Sequence, residues 1–274
     1  MKIFIFGSNG MLGNYIKSYL SKSYEIIPLT RKDYDLSQLS INSLNDLLKS
    51  QNLQKDDIII NCAGVIPQAS KQRGLNTRLY FTINSLFPVM LSQICDKLGA
   101  KMIHITTDCV FSGKDGNYNE NSLHDEINDY GMSKSLGELS KATIIRTSII
   151  GEEVNNKRSL VEWVISNKNN TINGYKNHYW NGVTCLQLAK IIQIIIHNNN
   201  FWNGVRHIYS PHTVSKYELV SMINNTYELN IIINPFETEF RSDKSISTIY
   251  NINNEFNIPD LKEQIDEIKK YKLY

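Results

Sequence analysis

The run Lys2-Ile3-Phe4-Ile5-Phe6 leads directly into Gly7-Ser8-Asn9-Gly10-Met11-Leu12-Gly13, and nothing else in the chain limits its fold as tightly. A short apolar run of this kind suits a strand buried on both faces of a parallel sheet. After the glycines, Tyr15, Ile16, Tyr19 and Leu20 recur at helical spacing. The glycines thus stand as G-x-x-G-x-x-G between a strand and a helix. There, Gly7 permits the tight turn, Gly10 lets the backbone approach a pyrophosphate, and Gly13 lets the helix pack on the strand. The pyrophosphate would rest on the N–H groups that open the helix. Gly7, Asn9, Gly10, Met11, Leu12 and Gly13 are therefore candidate dinucleotide-binding residues. An ordinary strand–turn–helix is the alternative for a glycine triplet taken alone.

The same alternation continues. Strands are expected near residues 2–6, 24–29, 57–61, 101–106 and 142–147, and helices near 11–21, 41–50, 76–98 and 130–141. This order argues for an α/β fold, a Rossmann-type doubly wound parallel sheet with helices on both faces. Ligands of such sheets bind beyond the carboxyl ends of the strands. Gly7, Asn61, Thr107 and Thr147 all fall at those ends and converge on one crevice. Beyond residue 150, helices near 159–167 and 185–197 alternate with Asn-rich loops and short strands near 206–209 and 231–233.

Tyr130 and Lys134 stand four apart in Tyr130-Gly131-Met132-Ser133-Lys134, so a helix places them on one face. A lysine ammonium beside a phenol favours the phenolate and draws its pKa down toward neutrality, where it serves as a general acid–base. Upstream, Thr106-Thr107-Asp108 ends a strand, and the Thr107 hydroxyl is suited to holding a carbonyl oxygen by hydrogen bond. Together Thr107, Tyr130 and Lys134 fit the interconversion of a carbonyl and an alcohol, which needs the hydride partner that the glycine loop would hold.

The 274 residues with 41% hydrophobic content suffice for a sizeable core. A net charge of +2 gives no electrostatic case for nucleic acid. The apolar run around Ile191 to Ile196 is too short to span a membrane, and the N-terminal run is too short and too soon broken by glycine for a signal peptide. Cys62, Cys95, Cys109 and Cys185 show neither paired nor zinc-like spacing, which suits reduced thiols in a cytoplasmic protein. No cluster of His, Cys and carboxylates has metal-ligand spacing, so no metal is expected.

The end of the second strand bears on cofactor choice. It reads Thr30-Arg31-Lys32, where an NAD enzyme would carry a ribose-binding acid. Arg31 can fork onto a 2′-phosphate and Lys32 adds a second charge, which favours NADPH over NADH. Asp33 beside them pulls the other way, and solvated loop cations are the alternative. The small residues of Asn61-Cys62-Ala63-Gly64 would let backbone approach the cofactor.

These motifs resemble those of the extended short-chain dehydrogenase/reductases of the dTDP-4-dehydrorhamnose reductase type. The likeness rests on Gly7 to Gly13, on Asn61-Cys62-Ala63-Gly64 and on Thr107-Asp108-Cys109-Val110-Phe111-Ser112-Gly113. It continues through Tyr118-Asn119-Glu120, the stretch Tyr130 to Glu138 and Arg146-Thr147-Ser148. It is close in the first half and loose in the second. It implies an NADP-binding domain over residues 1–150 and a smaller α/β substrate lobe over 151–274, partly interwoven with it. It further implies a nucleotide-sugar substrate, a 4-keto-6-deoxyhexose linked to UDP or dTDP and open to a 2-acetamido group. Asp35 and Leu36 would then lie near the adenine, Asn84 near the active site, and Thr106 beside the cofactor. In the wider family the Tyr/Lys helix and the helix before it often form a dimer face, so a homodimer is open.

Cys109 departs from the reductases, which usually carry Tyr there. It matches instead the cysteine of GDP-L-fucose synthase and UDP-L-rhamnose synthase, which epimerise a 4-keto sugar before reducing it. Cys109 is therefore a candidate acid–base group for exchange at C3 or C5, or else a small packed residue. Its partner on the other face of the sugar would come from the segment holding Lys157 and Glu162. Asp108 and Cys109 would touch substrate. Arg158 and Arg241 are available for the diphosphate, and Trp180, in the aromatic-rich stretch with His178, for the sugar or base. His104, inside an apolar strand, reads as a core histidine. Two rivals remain. A 4,6-dehydratase would need an acidic pair after the threonine, and only Asp108 is present. A non-catalytic NADP-binding regulatory subunit would not need Thr107, Tyr130 and Lys134 together.

Overall fold

A computed structural model describes residues 1–67 and 76–273. Five strands come from the first half: β1 (Lys2–Phe6), β2 (Glu25–Leu29), β3 (Ile58–Asn61), β4 (Lys101–Thr107) and β5 (Thr143–Thr147). With β6 (Gly204–His207) they form one sheet in the order β6-β5-β4-β3-β1-β2, parallel at every pairing. Parallel neighbours need crossovers. Helices α1 (Met11–Leu20), α2 (Ile41–Ser50), α3 (Phe87–Leu98) and α4 (Asp129–Gly137) supply them. The chain steps from β1 to β2 in one direction and onward through β3 in the other. The switch point of the sheet therefore lies between β1 and β3.

Successive strand side chains face opposite sides. Ile3 and Ile5 of β1 enter one core with Ile58, Ile60, Ile103 and Ile105, while Phe4 and Phe6 enter a second with Ile59, Met102 and Ile144. The first is covered by Tyr15 and Ile16 of α1 and by Leu188 and Ile192 of α5 (Cys185–His197). The second is covered by Leu44 and Leu48 of α2 and by Phe87 and Leu91 of α3. Each such side chain contributes about 1.5–3 kcal/mol when fully buried, so a slip of one residue would forfeit both faces at once. Pro28 is tolerated because β2 is an edge strand, half-exposed, with no neighbour on its outer side.

Two elements from beyond residue 150, β6 and α5, complete this first layer. The strand expected near 206–209 among the elements of a substrate lobe thus belongs to the main sheet, paired with β5 from Gly204 opposite Thr143 to His207 opposite Arg146. The remaining short strands form smaller units. Thr171–Tyr175 pairs with Ile232–Phe236. His178–Trp180 lies between Val214–Ser215 and Ser242–Asp243. This three-stranded unit is tied to the chain just past β4, where the Asp243 N–H donates to the Gly113 carbonyl at 2.7 Å.

The helix expected as one piece over 76–98 is built in three. A short α-helical piece, Thr77–Phe81, opens into a π-helical turn, Thr82–Leu86, before α3. Pro88 has no N–H to offer the carbonyl four residues back, that of Asn84. The wider turn absorbs the lost bond, and α4 moves in against it. A Cβ on Gly137 would stand 2.1 Å from the Asn84 carbonyl oxygen, so only glycine permits this approach. Ser85 Oγ then donates to the Ser133 carbonyl at 2.7 Å. The π-turn thus fixes the helix that carries Tyr130 and Lys134.

Candidate active site

At the carboxyl end of β1, Gly7 adopts φ +75°, and the Gly10 N–H donates to its carbonyl at 2.9 Å. A Cβ on Gly7 would meet the Ala63 nitrogen at 2.8 Å, and one on Gly13 the Gly7 oxygen at 2.2 Å. The loop therefore packs flush against the turn after β3. Gly10 is the N-cap of α1 and brings no side chain to it, whereas Ser40, Asn128 and Ser215 each cap their helices. The first N–H groups of α1 are left for an anion. Asn14 Nδ2 donates to the Asn9 and Gly10 carbonyls at 3.1 Å, a brace that the glycine pattern did not reveal. Asn9 is exposed at the loop, while Leu12 and Met11 turn their side chains into the core, so they serve the loop through backbone alone.

Beyond β2, Asp33 is committed. Its Oδ2 accepts from Thr30 N at 2.8 Å and from Thr30 Oγ1 at 2.7 Å, and these bonds hold its carboxyl below the usual range. Arg31 and Lys32 are exposed, and among the described residues no ion pair takes up either. Asp35 caps the turn Leu36–Gln38 by accepting from Ser37 N at 3.0 Å, and Leu36 packs partly buried beneath it. Past β3, Ala63 N donates to Asn61 Oδ1 at 3.0 Å, and the thiol of the partly buried Cys62 is pushed up to about 12 by loss of water around it. Asn61 Nδ2 meets His104 Nδ1 at 3.2 Å, and burial holds His104 neutral, down to about 3. His104 is a core histidine.

At the end of β4, Thr107 Oγ1 accepts from Cys109 N at 3.1 Å and donates to Asp108 Oδ1 at 3.0 Å. The same oxygen accepts from Cys109 Sγ at 3.5 Å. Burial pushes the Asp108 carboxyl up. The Cys109 thiol is pushed up to about 12 by burial, with the Asp108 carboxylate adding to it. Thr106 is buried with its hydroxyl unpartnered among the described residues. From α4, Tyr130 reaches this strand end. The Thr107 hydroxyl, Cys109 and Asp108 all act on its phenol, which burial pushes well above its usual value. The lowering of Tyr130 by Lys134 expected from their spacing is not what the enclosed site produces, because burial of the phenol is the largest influence on it and raises it. Lys134 is itself buried and lowered to about 8. It lies against Gly64, where a Cβ would stand 2.9 Å from Nζ. Asn84 is held as a clamp beside it. Its Oδ1 accepts from Val65 N at 2.8 Å, and its Nδ2 donates to the Val65 carbonyl and to Ser133 Oγ, each at 3.0 Å. That leaves its amide no free donor for a ligand.

Residues from the second half divide. Arg241 lines a cleft of about 630 Å³ with His178, Phe240, Ser112 and Gly113. It pairs with Asp243 at 2.8 Å and lies 5.1 Å over the Tyr179 ring. Lys157 and Glu162, the candidates for the acid–base partner of Cys109, pair with each other at 2.9 Å. Arg158, in the same segment, donates by its backbone N–H to Glu153, and among the described residues no contact joins its side chain to the strand end at Thr107. Trp180 is buried beneath a residue that the sequence did not single out, Lys216, whose ammonium stands 4.9 Å from the Trp180 ring centroid. Lys216 follows Ser215, the N-cap of α6 (Lys216–Tyr227). The capping box Ser215-x-x-Glu218 marked a helix start but gave no sign of where the lysine side chain would point.

The comparisons with known proteins agree with this arrangement. Over 155 residues the chain is 30% identical to a spore coat polysaccharide biosynthesis protein of Bacillus subtilis, covering 54% of this chain and 52% of that one. Over 144 residues it is 29% identical to a dTDP-4-dehydrorhamnose reductase of Burkholderia thailandensis, covering 52% and 46%. The chain thus spans about half the length of the curated relatives it matches. Among solved structures, a dTDP-4-dehydrorhamnose reductase of Bacillus anthracis in complex with NADP superposes with a TM-score of 0.82 at 25% identity, over 98% of both chains. A dTDP-4-dehydrorhamnose reductase ortholog of Clostridium acetobutylicum gives 0.80 at 23% identity, over 98% of this chain and 99% of that one. Residues 1–246 match the RmlD substrate binding domain, and the chain belongs to that family.

Proposed function

We propose that this protein reduces the 4-keto group of a nucleotide-activated 4-keto-6-deoxyhexose with NADPH. The observation that carries this reading is Tyr130 at the Thr107 strand end, with Lys134 of the same helix against Gly64 and a glycine cradle whose helix start is uncapped. The names of the relatives, dTDP-4-dehydrorhamnose reductases and a dTDP-4-keto-6-deoxy-D-glucose reductase, support the substrate class. The NADP complex of the Bacillus anthracis enzyme supports the cofactor. When bound, the cofactor supplies the hydride that C4 receives. Thr107 holds the carbonyl oxygen, and Tyr130, kept protonated by burial, gives that oxygen its proton. Lys134, buried beside Gly64, would hold the nicotinamide ribose by its ammonium. The products are the C4 alcohol and oxidised cofactor, and Tyr130 is reprotonated from solvent. The test is loss of NADPH absorbance with dTDP-, UDP- and GDP-linked 4-keto-6-deoxyhexoses. No oxidation with any of them would overturn the reading.

The free cations after β2 support the choice of cofactor. Arg31→Ala should weaken NADPH binding roughly tenfold or more and leave NADH nearly unchanged, because only NADPH presents a 2′-phosphate to the guanidinium. Equal losses in titrations of the two cofactors would show that Arg31 does not read the phosphate.

The state of Cys109 favours reduction without epimerisation. Burial, with Asp108 beside it, pushes the Cys109 thiol up, and this disfavours the thiolate that would draw a proton from C3 or C5. Wild-type protein in D₂O with a 4-keto-6-deoxysugar nucleotide and NADP⁺ should therefore wash no deuterium into the ring. Exchange that disappears in Cys109→Ser would restore the epimerase role.

A further inference from the structure

Arg146 of β5 is almost fully buried, and its partners come from three other parts of the chain. Glu138, the residue that closes α4, accepts from Nε at 3.0 Å and from Nη2 at its second oxygen. Nη1 lies 2.8 Å from Nε2 of His207 in β6, and Nη2 lies 2.7 Å from Nε2 of His124, in the loop between Thr107 and α4. A guanidinium only donates. Both imidazoles therefore offer a lone pair at Nε2 and carry their single ring proton on Nδ1. The far sides of the rings agree. Nδ1 of His207 faces the Ser247 carbonyl at 2.6 Å, and Nδ1 of His124 faces Ser135 Oγ of α4 at 2.5 Å. The Phe111 ring, on the stretch that leaves Thr107, lies 5.1 Å from the guanidinium and meets both imidazoles edge-on. Glu138 alone neutralises Arg146. The imidazoles add bonds that last only while the rings are uncharged. His207 is shut away, and burial holds it down to about 4. His124 differs, because 27% of its side chain is exposed and protons reach it.

We propose that His124 is a positioning residue, whose uncharged ring ties α4 to Arg146 and whose protonation lets the helix shift and slows turnover. This rests on the reductase reading, in which Tyr130 and Lys134 of that helix do the chemistry. The cluster grips α4 just past Lys134, through Ser135 and Glu138. A proton on Nε2 of His124 would set N–H against N–H across the 2.7 Å contact with Arg146. Burial opposes that proton, and so does the Arg146 charge. Glu138 of α4, whose Oε2 lies 3.5 Å from Nε2, favours it, as does Asp125 next along the loop. The opposing influences prevail, and the ring titrates below the ordinary 6.5. His207, across the guanidinium on β6, stays neutral well below that value and adds no charge. The sign follows. At neutral pH the tie is closed, and it opens as the pH falls through the lowered value.

The test is the pH profile of kcat with NADPH and a nucleotide-linked 4-keto-6-deoxyhexose at saturation. Wild-type kcat should fall roughly tenfold between about pH 7.5 and about pH 5, the lower end of what a charge-assisted hydrogen bond can hold. His124→Gln gives Arg146 an acceptor that does not titrate. It should keep kcat near the wild-type value at neutral pH and lose the acid limb. His124→Phe keeps a ring beside Phe111 but no acceptor, and should be as slow at every pH as the acid form of the wild type. An acid limb unchanged in His124→Gln would belong to another group, such as the buried Asp108, and would overturn the proposal. Nitrogen NMR of wild-type protein carrying isotope-labelled histidine gives a second reading that needs no turnover. At neutral pH His124 should show its proton on Nδ1 and none on Nε2. On acidification the backbone amides from Ser133 to Gly137 should shift with the ring, and in His124→Gln they should stay. A proton on Nε2 at neutral pH, or a ring that titrates while those amides stand still, would overturn the proposal. A wild type that reduces no such sugar at any pH would overturn the reductase reading, while the amide shifts would still decide whether His124 holds the helix.

Discussion

Tyr130→Phe should lower kcat by about 10²–10⁴-fold, the usual worth of a positioned general acid, while NADPH binding changes little. The substitution removes one oxygen and keeps the ring. The edge-on contact with Tyr80, 6.4 Å between centroids, is therefore retained, and so is the seat of α4. What is lost is the phenol proton that the helix brings to the Thr107 hydroxyl. Because burial holds the phenol protonated, the wild type is armed for reduction across the neutral range. The reverse reaction, oxidation of the alcohol, needs the phenolate and should be slow until the pH is high. Near wild-type turnover of Tyr130→Phe on a sugar that the wild type reduces would remove Tyr130 from the mechanism.

Much of this site is legible in the sequence because it rests on local rules. The glycine loop is short-range chemistry: a turn, a close approach and a helix start follow one another within seven residues. The strands of the main sheet are apolar on both faces, so Ile58, Ile59 and Ile60 announce a buried strand without any knowledge of their neighbours. Tyr130 and Lys134 share a face by helical geometry alone. The features that escaped depend on partners far along the chain. The strand expected near 206–209 was legible, but nothing in Gly204–His207 shows that it pairs with β5, because its partner lies some sixty residues earlier in the chain. The π-turn at Thr82–Leu86 needs Pro88 and Gly137 together, 49 residues apart in sequence. The pKa of Tyr130 is set by enclosure, which spacing on a helix does not reveal. Asp33 looked like a competitor to Arg31 until its bonds to Thr30 showed it occupied. Lys216 escaped as well, since its place over the Trp180 ring joins positions far apart in the chain.

Lys134→Met should lower kcat/KM by about 10²-fold or more, and its pH profile should identify the group responsible. The ammonium is worth at least one charge-assisted hydrogen bond to the ribose, and its field also steadies the proton transfer. Burial lowers Lys134 to about 8 in the free protein, with Glu138 as the main charge opposing the fall. The sign follows directly. Below pH 8 the side chain is charged and binds an anionic cofactor well. Above it the charged fraction falls tenfold per pH unit. Wild-type kcat/KM, which reports the free protein, should therefore bend downward near pH 8. Tyr130 does not compete for this limb, because its phenol is pushed upward and titrates far higher. In the complex the phosphates of NADPH hold the proton on Lys134, so the limb in kcat should lie at higher pH than the limb in kcat/KM. Lys134→Met should show neither limb, and its residual rate should be flat from pH 7 to 9. A downward bend near pH 8 that survives in the variant would belong to another group, and the tyrosine would again have to be considered as the titrating acid.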